Sequence, residues 1–214
     1  PNPPRQTQLG DDMKITIDQA ALKAVSLFAG TRDIRYYLNG VNVVANEMQT
    51  RLVATDGHTL AVHRSDAKDE NTGAASFIIP RDTVAALLKI KATNRTSRMI
   101  QVTVPDDYAD NLAAEFRAEF SGDVVIFKRM DATYPDYQRV IPSTLSGVAG
   151  AFNPEYLMRL QKASQCFKAK LIMPAFGMNG EGPALAVINS EMIAVIMPVR
   201  CPLLADCTEA AWAL

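Results

Sequence analysis

One pattern recurs three times along the chain, and it restricts the fold more than any other feature. A short β-type run leads to a polar cap, a helix of about three turns follows, and three more β-type segments come after it. The first copy begins Lys14-Ile15-Thr16-Ile17, takes Asp18 as its cap, and runs helically through residues 19–29 to Gly30. The Asp18 carboxylate suits an N-cap because it accepts a bond from the free amides of the first turn. Gly30 suits a left-handed stop. The second copy begins Ser76-Phe77-Ile78-Ile79 and passes through Pro80-Arg81-Asp82 into a helix over 83–91. The third begins Gly150-Ala151-Phe152 and starts its helix at Asn153-Pro154-Glu155. That trio offers a cap, a proline at the first helical position and an acid beside the positive helix end. Strand-like segments follow each helix, at 35–46, 50–57 and 58–64, then 99–105, 114–122 and 123–130, then 169–176, 183–189 and 192–200. Asn39-Gly40 and Asp56-Gly57 supply turn signals between them. The expected fold class is α+β, with three repeated β-α-β-β-β units and helices on one face of antiparallel sheets. Residues 1–12 read as a flexible leader. Residues 201–214, with the single Trp212, read as a C-terminal extension that docks on the sheet as a helix.

Composition removes several function classes. The chain has 214 residues, 48% hydrophobic and 21% charged, which excludes a disordered polymer. No run of about 18 apolar residues exists to span a membrane, and no charged-then-apolar start marks a secretory signal. With 22 Lys+Arg against 23 Asp+Glu the formal net charge is −1. Such a chain does not grip nucleic acid through bulk positive charge. Cys166, Cys201 and Cys207 have no CxxC spacing, and His58 and His63 have no grouped partners, so no disulfide framework and no metal site is expected. Reduced thiols in a cytoplasmic protein are the plain reading. No nucleophile motif or phosphate loop is present, and Asp56-Gly57-His58 is chiefly a hairpin signal. No catalytic residue and no cofactor is therefore expected.

Two local features stay open on the residues alone. Arg32 and Arg35 beside Tyr36 and Tyr37 could meet a phosphate backbone and stack on bases. Equally, Tyr37 could enter the core while Arg35 pairs with Asp33. Lys23, Lys89, Lys91, Arg159 and Lys162 sit mainly in later helical turns. They either compensate helix dipoles on a solvated face or present cations to DNA.

Four strings, in this order, carry a resemblance: Ile34-Arg35-Tyr36-Tyr37-Leu38-Asn39-Gly40, then Val53 through Val62 (VATDGHTLAV), then Tyr134 through Pro142 (YPDYQRVIP), then Val195 through Arg200 (VIMPVR). Together they closely resemble the beta subunit of bacterial DNA polymerase III, the sliding-clamp family. Residues 13–142 resemble the clamp's middle domain, with two repeat units, and residues 149–200 the second half of its C-terminal domain. The resemblance implies the DNA-clamp fold. It also implies a non-catalytic replication and repair accessory that closes as a ring around double-stranded DNA, helices inward and sheets outward. Such a ring tethers DNA polymerase or other clamp-motif proteins through a peptide pocket. The positions matching that pocket are Leu38, Thr55, Gly57, His58, Leu60, Pro135, Arg139, Val140, Val195, Ile196, Met197, Pro198, Val199 and Arg200. Arg32, Arg35, Tyr36, Tyr37 and Arg81 are the corresponding DNA-binding candidates, the tyrosine pair and Arg81 on family positions that face DNA.

The departures shape further expectations. The stretch matched to the C-terminal domain lacks that domain's first half, and no first domain is matched. The arginine that the resemblance places after His58 is Thr59 here. The usual ring interface would then be replaced by another. Three units per chain against twelve in a family ring point to a homo-oligomer, preferably a tetramer, formed partly through residues 149–200. Pro202-Leu203-Leu204 in the extension is expected to fold back over the pocket. A clamp-like interaction protein that forms no ring and instead binds or sequesters clamp-motif partners is the alternative.

Overall fold

In the computed structural model, residues 13–67, 70–92, 98–167 and 174–200 are described. The first unit is β1 (Met13–Asp18), α1 (Gln19–Ser26), β2 (Gly40–Ala45), β3 (Gln49–Thr55) and β4 (Thr59–Asp66). The second is β5 (Ala75–Pro80), α2 (Arg81–Lys89), β6 (Met99–Val104), β7 (Phe116–Phe120) and β8 (Asp123–Phe127). The third is α3 (Pro154–Cys166), β9 (Ala175–Gly177), β10 (Ala184–Val187) and β11 (Met192–Ile196). The fold is α+β, as the repeat requires.

The caps work as their chemistry dictates. Asp18 Oδ1 accepts from the Ala21 amide at 2.9 Å, and Asn153 Oδ1 accepts from the Glu155 amide at 2.9 Å. Other details differ from the sequence expectation. Gly30 does not stop α1 in a left-handed turn. The regular helix ends at Ser26, and two tighter bonds (Phe28 amide to Val25, Ala29 amide to Ser26) finish it. Gly30 is instead needed for closeness, because a Cβ there would lie 3.2–3.3 Å from Asn39, Asp33 and Leu38. Residues 36–38 form a 3-10 turn rather than a strand, and Asn39-Gly40 leads into β2 instead of closing a hairpin. The leader, the extension with Cys201, Pro202-Leu203-Leu204, Cys207 and Trp212, and the start of the strand expected at 169–176 lie outside the described residues.

The first two units do not build separate sheets. They exchange first strands. β1 pairs with β6 of the second unit, giving the four-stranded sheet β1-β6-β7-β8. β5 pairs with β2 of the first unit and edges a seven-stranded sheet, β5-β2-β3-β4-β11-β10-β9. All ladders are antiparallel. The third unit joins the larger sheet by pairing β11 with β4, Leu60 opposite Val195 and His63 opposite Met192. Its own first strand is reduced to a single bridge between Ala151 and Val199. Among the described residues the expected strand at 150–152 pairs through this bridge alone.

One core joins the helices to both sheets, centred on Ile15, Leu22, Val25, Phe28, Leu87 and Phe116. Burial at this scale is the main favourable term in folding. The fourth residue after each cap position is the telling comparison. Leu22 is 0% and Val84 3% exposed, whereas Leu157 of α3 is 39% exposed. The seventh, at Val25, Leu87 and Leu160, is buried in all three units. α3 therefore presents to solvent a position that is covered in the paired units. Between Pro142 and Ala149 the chain has too few residues for another unit.

His63 stands where the first and third units meet. It is 2% exposed, its ring stacks on Phe167 at 5.8 Å, and its Nδ1 is buried without a hydrogen-bond partner among the described residues. Burial lowers its pKa, and the facing carboxylates of Glu191 and Asp18 only partly offset this. The folded state therefore holds His63 neutral while the unfolded chain takes up a proton below about 6.5. The melting temperature should fall as pH drops from 7.5 to 5. His63→Leu should flatten that part of the slope, and an unchanged slope in the variant would contradict the assignment.

Candidate functional site

The outer face of the seven-stranded sheet, opposite the helices, carries Val53, Leu60 and Val195. A strap from Tyr134 to Ile141 crosses this face and packs Tyr134, Tyr137 and Ile141 against it. The Tyr134 hydroxyl is buried beneath the strap, and burial pushes its pKa well up. Beside the strap lies a cleft of about 280 Å³. Arg35, Tyr37 and Leu38 wall it from the 3-10 turn, Thr55 and Gly57 to Leu60 from the β3–β4 hairpin, Pro135, Asp136, Tyr137 and Val140 from the strap, and Val195 and Met197 from the end of β11. Apolar walls with a few polar groups at the rim suit the anchor side chain of a short peptide.

The hairpin turn is held tightly. Asp56 Oδ1 accepts from the amides of His58 (2.9 Å) and Thr59 (2.7 Å) and from the Thr59 hydroxyl (3.0 Å). Asp56 Oδ2 receives Arg159 Nη1 of α3 at 2.6 Å. Burial alone would raise the Asp56 pKa, but Arg159 and the two amides outweigh it and hold the carboxyl below its ordinary value. Thr55 Oγ1 donates to the Thr59 carbonyl, and the Met197 amide donates to the His58 carbonyl at 2.9 Å. The last bond ties the hairpin to the chain leaving β11. Asp56 and His58 show no catalytic convergence: the carboxylate is committed to the turn and Arg159, while His58 stacks on Tyr156 at 6.1 Å. Among the described residues no group of three His, Cys, Asp or Glu side chains is placed to hold a metal.

Of the pocket positions named from the sequence, Leu38, Thr55, Gly57, His58, Leu60, Pro135, Val140, Val195 and Met197 line this cleft. Ile196 does not, because its side chain points to the helix side and is fully buried. Arg139 is 84% exposed and turns back to Asp136 at 2.8 Å. Pro198, Val199 and Arg200 line a neighbouring groove of about 670 Å³ with Val148–Ala151, and Met197 is shared by both. Thr59, which holds the position of the arginine the resemblance places after His58, also lines the cleft, and so do Asp136 and Tyr137, which were not among the pocket positions named from the sequence. Their signal was only adjacency to residues that were.

The five DNA-binding candidates are scattered in their commitments. Arg35 pairs with Asp33 at 2.7 Å and holds that carboxyl down to about 2. Tyr37 is half-buried and lines the cleft instead of entering the core. The Tyr36 hydroxyl donates to the Asp131 carbonyl at 2.6 Å, and Arg81 Nη1 donates to the Gly30 carbonyl at 2.9 Å. Arg32 is exposed and has a positive φ of 57°. Between them Ile34 is 97% exposed, an apolar side chain the sequence reading passed over. Lys23, Lys89, Lys91 and Lys162 face solvent, whereas Arg159 turns to Asp56.

Residues 12–136 match the family model of the DNA polymerase III beta subunit, central domain. The chain belongs to that family. The beta sliding clamp of Caulobacter vibrioides is 34% identical over 116 residues, covering 52% of this chain and 29% of the relative. The chain spans about a third of the length of the curated relatives it matches. Among solved structures, the Thermotoga maritima beta subunit superposes with a TM-score of 0.72 at 16% identity, covering 93% of this chain and 68% of that one. A Pseudomonas aeruginosa sliding clamp bound to griselimycin gives 0.67 at 20%, covering 92% and 68%. The fold is that of the clamps, including the third unit, which lies beyond the central-domain match. Among the described residues no helix is long and apolar enough to cross a membrane.

Within this clamp scaffold Gly57 is a cleft position that resists a side chain. Its φ is +88°, and an added Cβ would lie 2.9–3.0 Å from the Arg35 guanidinium. Gly57→Ala should cost about 1–2 kcal/mol from the backbone alone and lower the melting temperature by roughly 2–4 °C per kcal/mol in a chain of this size. Thermal unfolding checks it. An unchanged midpoint would mean the turn relaxes freely.

Proposed function

We propose that this chain is a non-catalytic, sliding-clamp-like accessory of DNA replication or repair. It encircles double-stranded DNA as an oligomeric ring and tethers a DNA polymerase or other clamp-motif partner through the cleft described above. The observation that carries this reading is that cleft, built where the first unit, the strap and the third unit meet, with Leu60, Val195, Met197 and Val140 as its apolar lining. Pro198, Val199 and Arg200 continue the binding surface into the neighbouring groove, and Arg139 serves its polar rim. Arg32, Arg35, Tyr36, Tyr37 and Arg81 are the proposed contacts to DNA. Residues 13–142 act as one paired module and 149–200 as a half module.

Griselimycin, which the P. aeruginosa clamp binds, is a suitable probe of the cleft. Isothermal titration should show saturable one-to-one binding. Val140→Arg, at a half-exposed rim position, should weaken it at least tenfold without moving the melting temperature. Absence of binding to the parent chain would remove the cleft from the proposal.

The half module supports self-association. Leu157 is exposed at the position where Leu22 and Val84 are covered by a paired unit, so a second copy is the natural cover. Four copies of a three-unit chain would supply twelve units, hence a tetramer. A second reading, a clamp-like protein that binds partners without forming a ring, is favoured by one observation: Arg35, Tyr36 and Arg81 are all engaged within the chain. Light scattering and a DNA retention assay separate the two. A ring should give an oligomer that stays on nicked circular DNA and leaves it on linearisation, and Leu157→Lys should shift it towards monomer. Monomer alone, with no retention, would favour the second reading.

A further inference from the structure

Arg159 belongs to the third unit, yet its bonds go to the first. Its Nη1 reaches Asp56 Oδ2 at 2.6 Å and Thr59 Oγ1 at 2.8 Å. Thr59 in turn donates its hydroxyl to Asp56 Oδ1, and that same oxygen collects the amides of His58 and Thr59. The guanidinium therefore closes a ring of hydrogen bonds around the turn. It also lies over the Tyr156 ring, 5.1 Å from the centroid, and Tyr156 stacks on the His58 ring with an interplanar angle of 16°. Two separate routes run from one guanidinium to His58, one through the backbone of the turn and one through an aromatic stack. His58 and Thr59 both line the cleft. The pair is sheltered: the Arg159 side chain is 26% and that of Asp56 14% exposed. In such a site, removing one partner leaves the other charge poorly solvated.

We propose that Arg159 is a positioning residue for the cleft. From α3 it fixes the Asp56–His58 turn and the His58 ring in the arrangement that receives an apolar side chain, and so makes binding at the cleft depend on the docking of the third unit against the first. The inference rests on the peptide-cleft reading. It adds that a residue outside the cleft wall sets the cleft's affinity. Lysine can supply the charge at this position but not the planar fork over Tyr156.

The test uses the full chain with Arg159→Met, Arg159→Lys, Asp56→Asn and the Met/Asn double variant. Griselimycin titration is the first readout. Arg159→Met should weaken binding at least tenfold, about 1.4 kcal/mol, at temperatures well below its unfolding transition. Arg159→Lys should recover at least half of that loss on a logarithmic scale. The double variant should bind no worse than either single one, because both remove the same interaction. The second readout needs no ligand: the ring proton resonances of His58, shielded by Tyr156, should move towards free-histidine positions in Arg159→Met while those of His63 stay in place. A folded Arg159→Met that binds as the parent does, or that leaves His58 unmoved, would overturn the proposal. Failure of the parent chain to bind griselimycin would strike the peptide-cleft reading instead, and the His58 resonances would still decide the positioning role.

Discussion

The pairing of β4 with β11 is the interaction on which the rest depends. It fuses the first and third units into one seven-stranded sheet with a shared core behind it. Leu60 lies opposite Val195 on the outer face, which makes the floor of the cleft, and His63 lies opposite Met192 on the helix face, which makes part of the core. α3 follows and packs against α1, carrying Arg159 to within reach of Asp56. Because strand side chains alternate faces, a slip of one residue in this register would exchange the cleft floor with the core. The site and the stability of the chain are thus set by the same few backbone hydrogen bonds.

Local features were legible in the sequence because their causes are local. Asp18, Asn153 and Pro154 mark helix starts by chemistry that acts within one turn. The alternating strands from Gln49 to Asp66 announce themselves for the same reason. What the sequence hid is non-local. Nothing in Lys14–Ile17 says that this strand pairs with β6 of the next unit, and nothing in Met192–Ile196 says that it pairs with β4. The 3-10 turn at Tyr36–Leu38 reads as a strand because aromatic residues favour strands, whereas Gly30 and Asn39 fold the segment back on itself. Ile196 seemed a cleft residue beside Val195 and Met197, but the alternation of β11 sends it to the core. Arg159 read as a solvated or DNA-facing cation. Its partner lies 103 positions away, in another unit.

The net charge of −1 takes on local meaning in this setting. Asp33 and Asp56 are spent on Arg35 and Arg159, so much of the charge near the cleft is neutralised in pairs. Exposed Lys23, Lys89, Lys91 and Lys162 remain on or beside the helices.

The exchange of first strands carries a consequence for how such a chain is divided. A cut near residue 75, where the sequence repeat turns over, would strand β1 without β6 and β2 without β5. The repeat is the unit of sequence, but the pair of repeats is the unit of folding. Among the described residues the third unit has no such mate, and its first strand, reduced to a bridge at Ala151, and its exposed Leu157 go together with that. Duplication or loss of modules in such a scaffold costs least in pairs, because each first strand finds its ladder partner in the neighbouring repeat.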